Sequence, residues 1–193
     1  MNLLKYTPFF ILIYFSLKLL SKFIEENIIS LKEQISDEKI ERGILSIKDL
    51  QKNNYDRFLK AIKFYLSTHN YENIIIFKDN IPELTNLKGI LNGDNVYITC
   101  IQNIMENDSN NENLSTLTTK KDIESFLGRM ITSDCKKGLF INNTSYSDDV
   151  CDFVRVLNSS SNFEIKLIDG YELTKSIRLY KNCNIELEVS NEF

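Results

Sequence analysis

The sequence predicts an α/β domain whose mixed central sheet is flanked by helices. Its 193 residues are 42% hydrophobic and 26% charged, a balance that supports one medium domain with an extension and argues against a disordered chain. Apolar periodicity gives the order helix, three strands, helix, strand, helix, strand, helix. Late strands that alternate with helices indicate parallel pairing, whereas the second and third strands flank a hairpin turn.

The amino-terminal segment predicts a hydrophobic helix ahead of the domain. Residues 6–17 (YTPFFILIYFSL) carry no charge, and the stretch from Leu3 to Leu20 has 18 residues, which is within the range that crosses a bilayer. A membrane anchor over residues 1–22 is the first interpretation, with a signal peptide or a helix buried in the fold as alternatives. The sequence has no small-x-small cleavage site after the apolar run, which disfavours the signal peptide.

Residues 23–47 predict a juxtamembrane helix followed by a connector. Four aliphatic residues recur at helical spacing and form one stripe: Ile24, Ile28, Leu31 and Ile35. A helix that lies against the domain explains the stripe, and a short coiled-coil seam is the alternative, although the heptads are few. The charged residues 37–43 read as the connector, so the domain boundary is expected between residues 36 and 48.

The domain is predicted over residues 48–179, with a C-terminal tail at 180–193. The turn sequence Asn92-Gly93-Asp94-Asn95 joins two strands into a hairpin. Residues 106–112 (ENDSNNE) read as a polar loop. The remaining segments, in chain order, are a helix at 55–66, strands at 74–77, 87–91 and 96–101, a helix at 122–131, a strand at 138–141, a helix at 146–157, a strand at 165–168 and a helix at 171–179.

Four strings along the domain carry a family resemblance. In order they are NYDRFLK (54–60), KDIESFLGRM (121–130), KKGLFI (136–141) and IKLIDGYEL (165–173). Together they resemble the Mrr-type branch of the restriction-endonuclease-like, PD-(D/E)xK nucleases, and the resemblance covers residues 48–179. It implies a restriction-endonuclease-like core and metal-assisted hydrolysis of phosphodiesters, with Mg²⁺ held by acidic side chains and a lysine beside the attacking water.

The same resemblance implies where the active site would be. The family places an Asp on one hairpin strand and Glu or Gln, a spacer and Lys on the next. These positions fall on Asn86, Thr99 and Ile101, while Asp56 on the first helix keeps an acid where the family has one. A neutral amide and an aliphatic side chain thus stand at the Asp and Lys positions. Losing one preorganised charge-stabilising group typically costs about 10²- to 10³-fold in rate.

These substitutions predict a catalytically impaired domain, membrane-anchored on the cytosolic side, that binds DNA or a protein partner and needs no cofactor. The first alternative is an active Mg²⁺-dependent endonuclease with a relocated site, in which Glu83 or Asp94 replaces the Asp and Lys88 replaces the Lys. The second alternative is a purely structural interaction domain. The identity of a protein partner is not encoded in any motif.

The net charge of the domain bears on whether it could bind DNA. Residues 49–193 contain 16 Lys and Arg against 21 Asp and Glu, a net charge of −5, so bulk charge does not favour a polyanion. A local basic patch is the remaining route, and its candidates lie around the second helix of the domain and the strand after it: Lys120, Lys121, Arg129, Lys136 and Lys137.

Composition excludes other function classes. A single histidine, His69, rules out a His-rich metal site and any mechanism that needs two histidines. The four cysteines lie far apart without a CxxC pair, which disfavours structural zinc and indicates reduced thiols in the cytosol. No phosphate-binding glycine loop, HExxH or GxSxG string is present. The abundance of asparagine, 22 residues in all, is interpreted as the background of an AT-rich genome and not as a sign of function.

Overall fold

A computed structural model describes residues 7–52, 55–78, 84–103 and 118–191, and the chain divides into two compact units, residues 1–41 and 42–193. The described residues of the first unit form one helix, α1 (Thr7–Glu41). It continues through the first residues of the predicted connector, because Glu38, Lys39 and Glu41 are good helix formers. A turn at Arg42 and Gly43, the latter with φ +67°, follows the helix.

The membrane span predicted over residues 1–22 is not supported. Within the part of the chain that the structure describes, no helix has both the length and the apolarity needed to cross a bilayer. The helix that begins at Thr7 takes in Lys18, Lys22 and Glu25 within its first 19 residues. Residues 1–6, which belong to the predicted anchor, lie outside the described residues.

The second unit confirms the predicted α/β class with a mixed sheet. Among the residues described there, five strands lie side by side in the order β1-β2-β3-β4-β5; β1, β2 and β3 are antiparallel, and β3, β4 and β5 are parallel. The elements are α2 (Ile47–Lys52), α3 (Tyr55–Thr68), β1 (Glu72–Lys78), β2 (Leu84–Leu91), β3 (Asp94–Ile101), α4 (Lys120–Thr132), β4 (Lys137–Asn142), α5 (Asp148–Ser160), β5 (Glu164–Ile168) and α6 (Gly170–Asn191).

Strands β2 and β3 are joined by a two-residue turn, and this turn fixes their register. Asn92 and Gly93 both have positive φ, 53° and 88°, which is the conformation that Asn-Gly favours in a tight hairpin. The pairing then runs from Leu91 opposite Asp94 down to Leu84 opposite Ile101.

One face of the sheet packs against α4 and α5. Its core consists of Tyr97, Ile123, Phe126, Met130, Cys135, Phe140, Val150, Val154 and Ile165. Gly138 lets α4 approach β4 closely, because a Cβ at this position would lie 2.5 Å from the Met130 sulfur and 2.8 Å from the Phe126 ring. On the opposite face, Tyr55 of α3 lies beside Thr85 and Cys100, and α3 contacts α6.

The C-terminal end differs from the prediction. Helix α6 does not stop near residue 179 but continues to Asn191, so most of the predicted tail at 180–193 is helical. The predicted polar loop at 106–112 lies outside the described residues.

Candidate nuclease-like site

Asn86 and Thr99 form a buried polar pair at the centre of the sheet. They stand directly opposite each other on β2 and β3, so their side chains leave the same face. The Thr99 hydroxyl donates a 2.6 Å hydrogen bond to Oδ1 of Asn86. The two residues are only 1% and 2% exposed. The pair therefore satisfies polar groups inside the sheet rather than presenting them to solvent.

Ile101 follows Thr99 by two residues and leaves the same face of β3. Beside these two residues lies a cavity of about 40 Å³, whose other lining residues are Leu84, Asp122, Ser125, Phe126, Arg129 and Phe140. A cavity of this size holds a few water molecules and is far smaller than the pockets that enclose a drug-sized ligand, which measure about 300 to 1,000 Å³.

Helix α4 supplies the polar wall of this cavity. Asp122, Ser125 and Arg129 are three and four residues apart, which places them on one side of the helix. The Asp122 carboxylate has a structural task, since its Oδ2 accepts hydrogen bonds of 2.7 Å from both the backbone N–H and the hydroxyl of Thr119. Together with the Thr119 hydroxyl, which accepts from the Asp122 N–H, this forms a capping box at the start of α4.

Asp56 does not join the polar pair. It is exposed in the first turn of α3. Its neighbour Tyr55 lies beside Thr85 and Cys100. These two residues are next to Asn86 and Thr99 in the sequence, so their side chains leave the other face of the sheet. The acid that the family resemblance retained is thus separated from Asn86 and Thr99 by the sheet itself.

Lys88, the lysine considered for a relocated site, leaves the same face of β2 as Asn86. Its amine donates a 2.9 Å hydrogen bond to the carbonyl oxygen of Ser133, the residue that caps the C-terminal end of α4. Asp94, an acid considered for a relocated site, is at the hairpin turn. It lies five residues, or roughly 17 Å, along β3 from Thr99. Glu83 lies outside the described residues.

The five basic residues predicted to bind DNA do not form one patch. Lys120 and Lys121 begin α4, whereas Lys136 and Lys137 follow its other end, about 20 Å away along a 13-residue helix. Lys120 pairs with Asp149 at 3.8 Å and Lys137 pairs with Asp94 at 2.8 Å. The hydrogen bond and the charge of the partner carboxylate raise the pKa of Lys137. Arg129 lies between the two groups, on the cavity wall.

A buried amide cluster at the end of β3 and β4 was missed by sequence reasoning, which took the abundance of asparagine as compositional background. Asn103, Asn142 and Asn143 are each at most 5% exposed. Asn143 accepts from the backbone N–H of Asn103 at 2.8 Å and donates to its carbonyl at 2.9 Å, while Asn142 donates to Thr118 at 2.6 Å. These bonds tie the ends of two strands to the chain entering α4. The only sequence signal was a polar run directly after a buried strand.

The pair does not fit a magnesium ion. Mg²⁺ takes carboxylate and water oxygens in octahedral geometry, whereas Asn86 and Thr99 are neutral, closed off from solvent and bonded to each other. Among the residues described, no group of three or more His, Cys, Asp and Glu side chains is arranged to hold a metal ion. Burial also raises the pKa of the Cys100 thiol on the other face of β3, which keeps it in the neutral form.

The antiparallel strands followed by two parallel strands, with helices on both faces, agree with the fold expected of a restriction-endonuclease-like domain. A family model described as a restriction endonuclease, of the Mrr catalytic type, matches residues 50–177, about two thirds of the chain. The chain belongs to this Mrr-type restriction endonuclease family, which confirms the resemblance carried by the four strings. A search of the curated proteins gives no match.

Proposed function

We propose that this domain is a restriction-endonuclease fold that has lost phosphodiester hydrolysis and acts by binding. The observation that carries the proposal is the hydrogen bond between Asn86 and Thr99, which occupies the family's ligand positions with a closed, neutral pair. Ile101 adds an aliphatic side chain at the position of the family's lysine. No cofactor is needed for such a role, and Mg²⁺ would matter only to a domain that still cleaves.

DNA is the ligand that the fold suggests, but the charges support it weakly. Two of the five candidate cations are engaged with Asp149 and Asp94, and the domain is acidic overall. A protein partner fits the same evidence at least as well, because β1, an outer strand of the sheet that the described residues form, exposes Ile75, Ile76 and Phe77. A gel shift that weakens with salt supports DNA, and Lys121→Gln is expected to reduce the shift more than Lys166→Gln on β5.

The alternative of an active enzyme has a direct test. The full chain is incubated with supercoiled plasmid and either Mg²⁺ or Mn²⁺, and no nicking is expected. Metal-dependent nicking that Asp94→Ala or Glu83→Ala abolishes would overturn the proposal in favour of a relocated site. Binding of neither DNA nor protein would favour a purely structural domain.

A gain-of-function series tests whether the geometry of the site survives. The triple variant Asn86→Asp, Thr99→Glu, Ile101→Lys restores the family's residue types, and we expect it to gain metal-dependent nicking if the backbone still places them correctly. The matched control is the double variant that keeps Ile101. Folding of each variant is checked by circular dichroism, so that loss of structure is not mistaken for an inactive site.

Attachment to the cytosolic face of a membrane stays a prediction from the sequence and is not needed for binding. Flotation of the full chain with phospholipid vesicles measures it directly.

A further inference from the structure

Helix α1 exposes a row of large aliphatic side chains along its C-terminal half. Ile24, Ile28, Leu31 and Ile35 recur at intervals of 4, 3 and 4 residues and are 48%, 44%, 57% and 53% exposed. A long helix in water is stabilised mainly by burying such a stripe against a partner. The intervals alternate between four and three residues, as the a and d positions of a coiled-coil seam do.

We propose that this seam pairs with the same seam of a second copy of the chain, in antiparallel orientation. When the pair is centred between Ile28 and Leu31, Ile28 of each copy packs beside Leu31 of the other. Ile24 then packs beside Ile35 of the second copy, which gives four apolar layers in succession. A two-fold axis through the centre makes the interface self-complementary, as a closed dimer requires.

The charged residues beside the seam select the antiparallel orientation. Glu25 follows Ile24 and Lys32 follows Leu31, so both side chains lie on the same flank of the seam. In the antiparallel pair, Glu25 of each copy faces Lys32 of the other, which forms two pairs of opposite charge. In a parallel pair, Glu25 would instead face Leu20 of the second copy and Lys32 would face Asn27. These two contacts bring no opposite charges together.

Two further charges lie on the outward side of the helix, Lys22 and Glu26. Lys22 and Glu26 form an ion pair within α1 at 4.0 Å, away from the seam. Four layers make a small interface, below the roughly 1,200 Å² of total buried area that marks stable complexes. The dimer is therefore expected to dissociate on dilution. A lipid surface is the competing partner for the apolar residues, but it would not distinguish residues by seam position.

The first test compares two isoleucines that are neighbours in the chain. Sedimentation velocity of the full chain over a concentration series is expected to show a monomer–dimer equilibrium. Ile28→Glu, on the seam, should weaken dimerisation by about 100-fold. Ile29→Glu makes the same change at a side chain that is 57% exposed but off the seam, and should leave the dimer intact. A monomeric wild-type chain, or equal loss in both variants, would overturn the proposal.

The second test leaves the apolar seam unchanged and so guards against a variant that fails to fold. Glu25→Lys and Lys32→Glu should each weaken the dimer by about tenfold, since two attractions become repulsions. The double variant should restore wild-type affinity, and Lys22→Glu on the outward side serves as the control. Failure of the double variant to restore the dimer rules out this antiparallel pairing. Binding to phosphatidylcholine vesicles that Ile28→Glu and Ile29→Glu reduce equally, without a dimer, would assign the helix to lipid instead.

Discussion

Replacing Thr99 by Val tests whether the buried polar pair is a structural element. Valine has nearly the shape of threonine, so the substitution removes the donor of the 2.6 Å hydrogen bond without leaving a cavity. Asn86, which is 1% exposed, keeps its carbonyl oxygen away from water. An unsatisfied buried acceptor costs about 1 to 3 kcal/mol. Because Asn86 has further interactions, we expect the lower half of that range, about 1 to 2 kcal/mol.

The measurement is the free energy of unfolding from urea denaturation followed by circular dichroism. A loss of about 1 kcal/mol corresponds to a decrease in Tm of about 2 to 4 °C for a domain of this size. Thr99→Val is measured again in an Asn86→Leu background, where no acceptor remains and the cost should fall toward zero. The difference between the two backgrounds is the coupling energy of the pair, expected to be about 1 kcal/mol.

The refuting result is an equal effect of Thr99→Val in both backgrounds. A structural role would also be contradicted if the variant were more stable than wild type and lost a nuclease activity, because catalytic polar groups are commonly held at the expense of stability. That outcome would return Asn86 and Thr99 to a working site.

Three further outcomes are expected. Gly138→Ala should destabilise the domain by about 1 to 3 kcal/mol, because the added Cβ clashes with α4. Gly128→Ala adds a Cβ on the open side of α4 and should be neutral or stabilising. Thermal denaturation measures both effects. Burial raises the pKa of Tyr55 from 10.0 to about 12. The folded state therefore holds the phenol proton of Tyr55 more tightly than the unfolded state does. This group should leave the free energy of unfolding unchanged below pH 10 and lower it between pH 10 and 12. The decrease should be smaller in Tyr55→Phe. In the native protein, iodoacetamide should modify Cys151, which is partly exposed, before the fully buried Cys100; similar rates, read by mass spectrometry, would contradict the burial.

The position of the polar pair was predictable because it depends only on local chemistry. The Asn-Gly turn closes the hairpin with two residues, and counting outward from it places Asn86 opposite Thr99. Strand alternation then puts Ile101 on the same face. These inferences need no tertiary information, and the observed register pairs the same two residues.

The surroundings of the pair could not be predicted in the same way. Asp122, Ser125 and Arg129 line the cavity only because α4 packs on one particular face of the sheet, a choice that the helix periodicity does not encode. The amide cluster around Asn143 was hidden because asparagine is usually exposed, and burial becomes favourable only when partners from distant segments satisfy it. Likewise, α6 extends past its apolar periodicity, where sequence gives a weak boundary.

The two-residue turn between β2 and β3 has a consequence for the order of assembly during folding. A hairpin with a short loop closes within about 1 to 10 μs, whereas the parallel partner β4 is separated from β3 by residues 102–136 and must wait for a slower search. We therefore expect the amides of the hairpin to gain protection first in pulse-labelling hydrogen exchange. Asn86 and Thr99 would then meet while the chain is still largely unfolded, and the remaining strands would be added to a nucleus that already contains them.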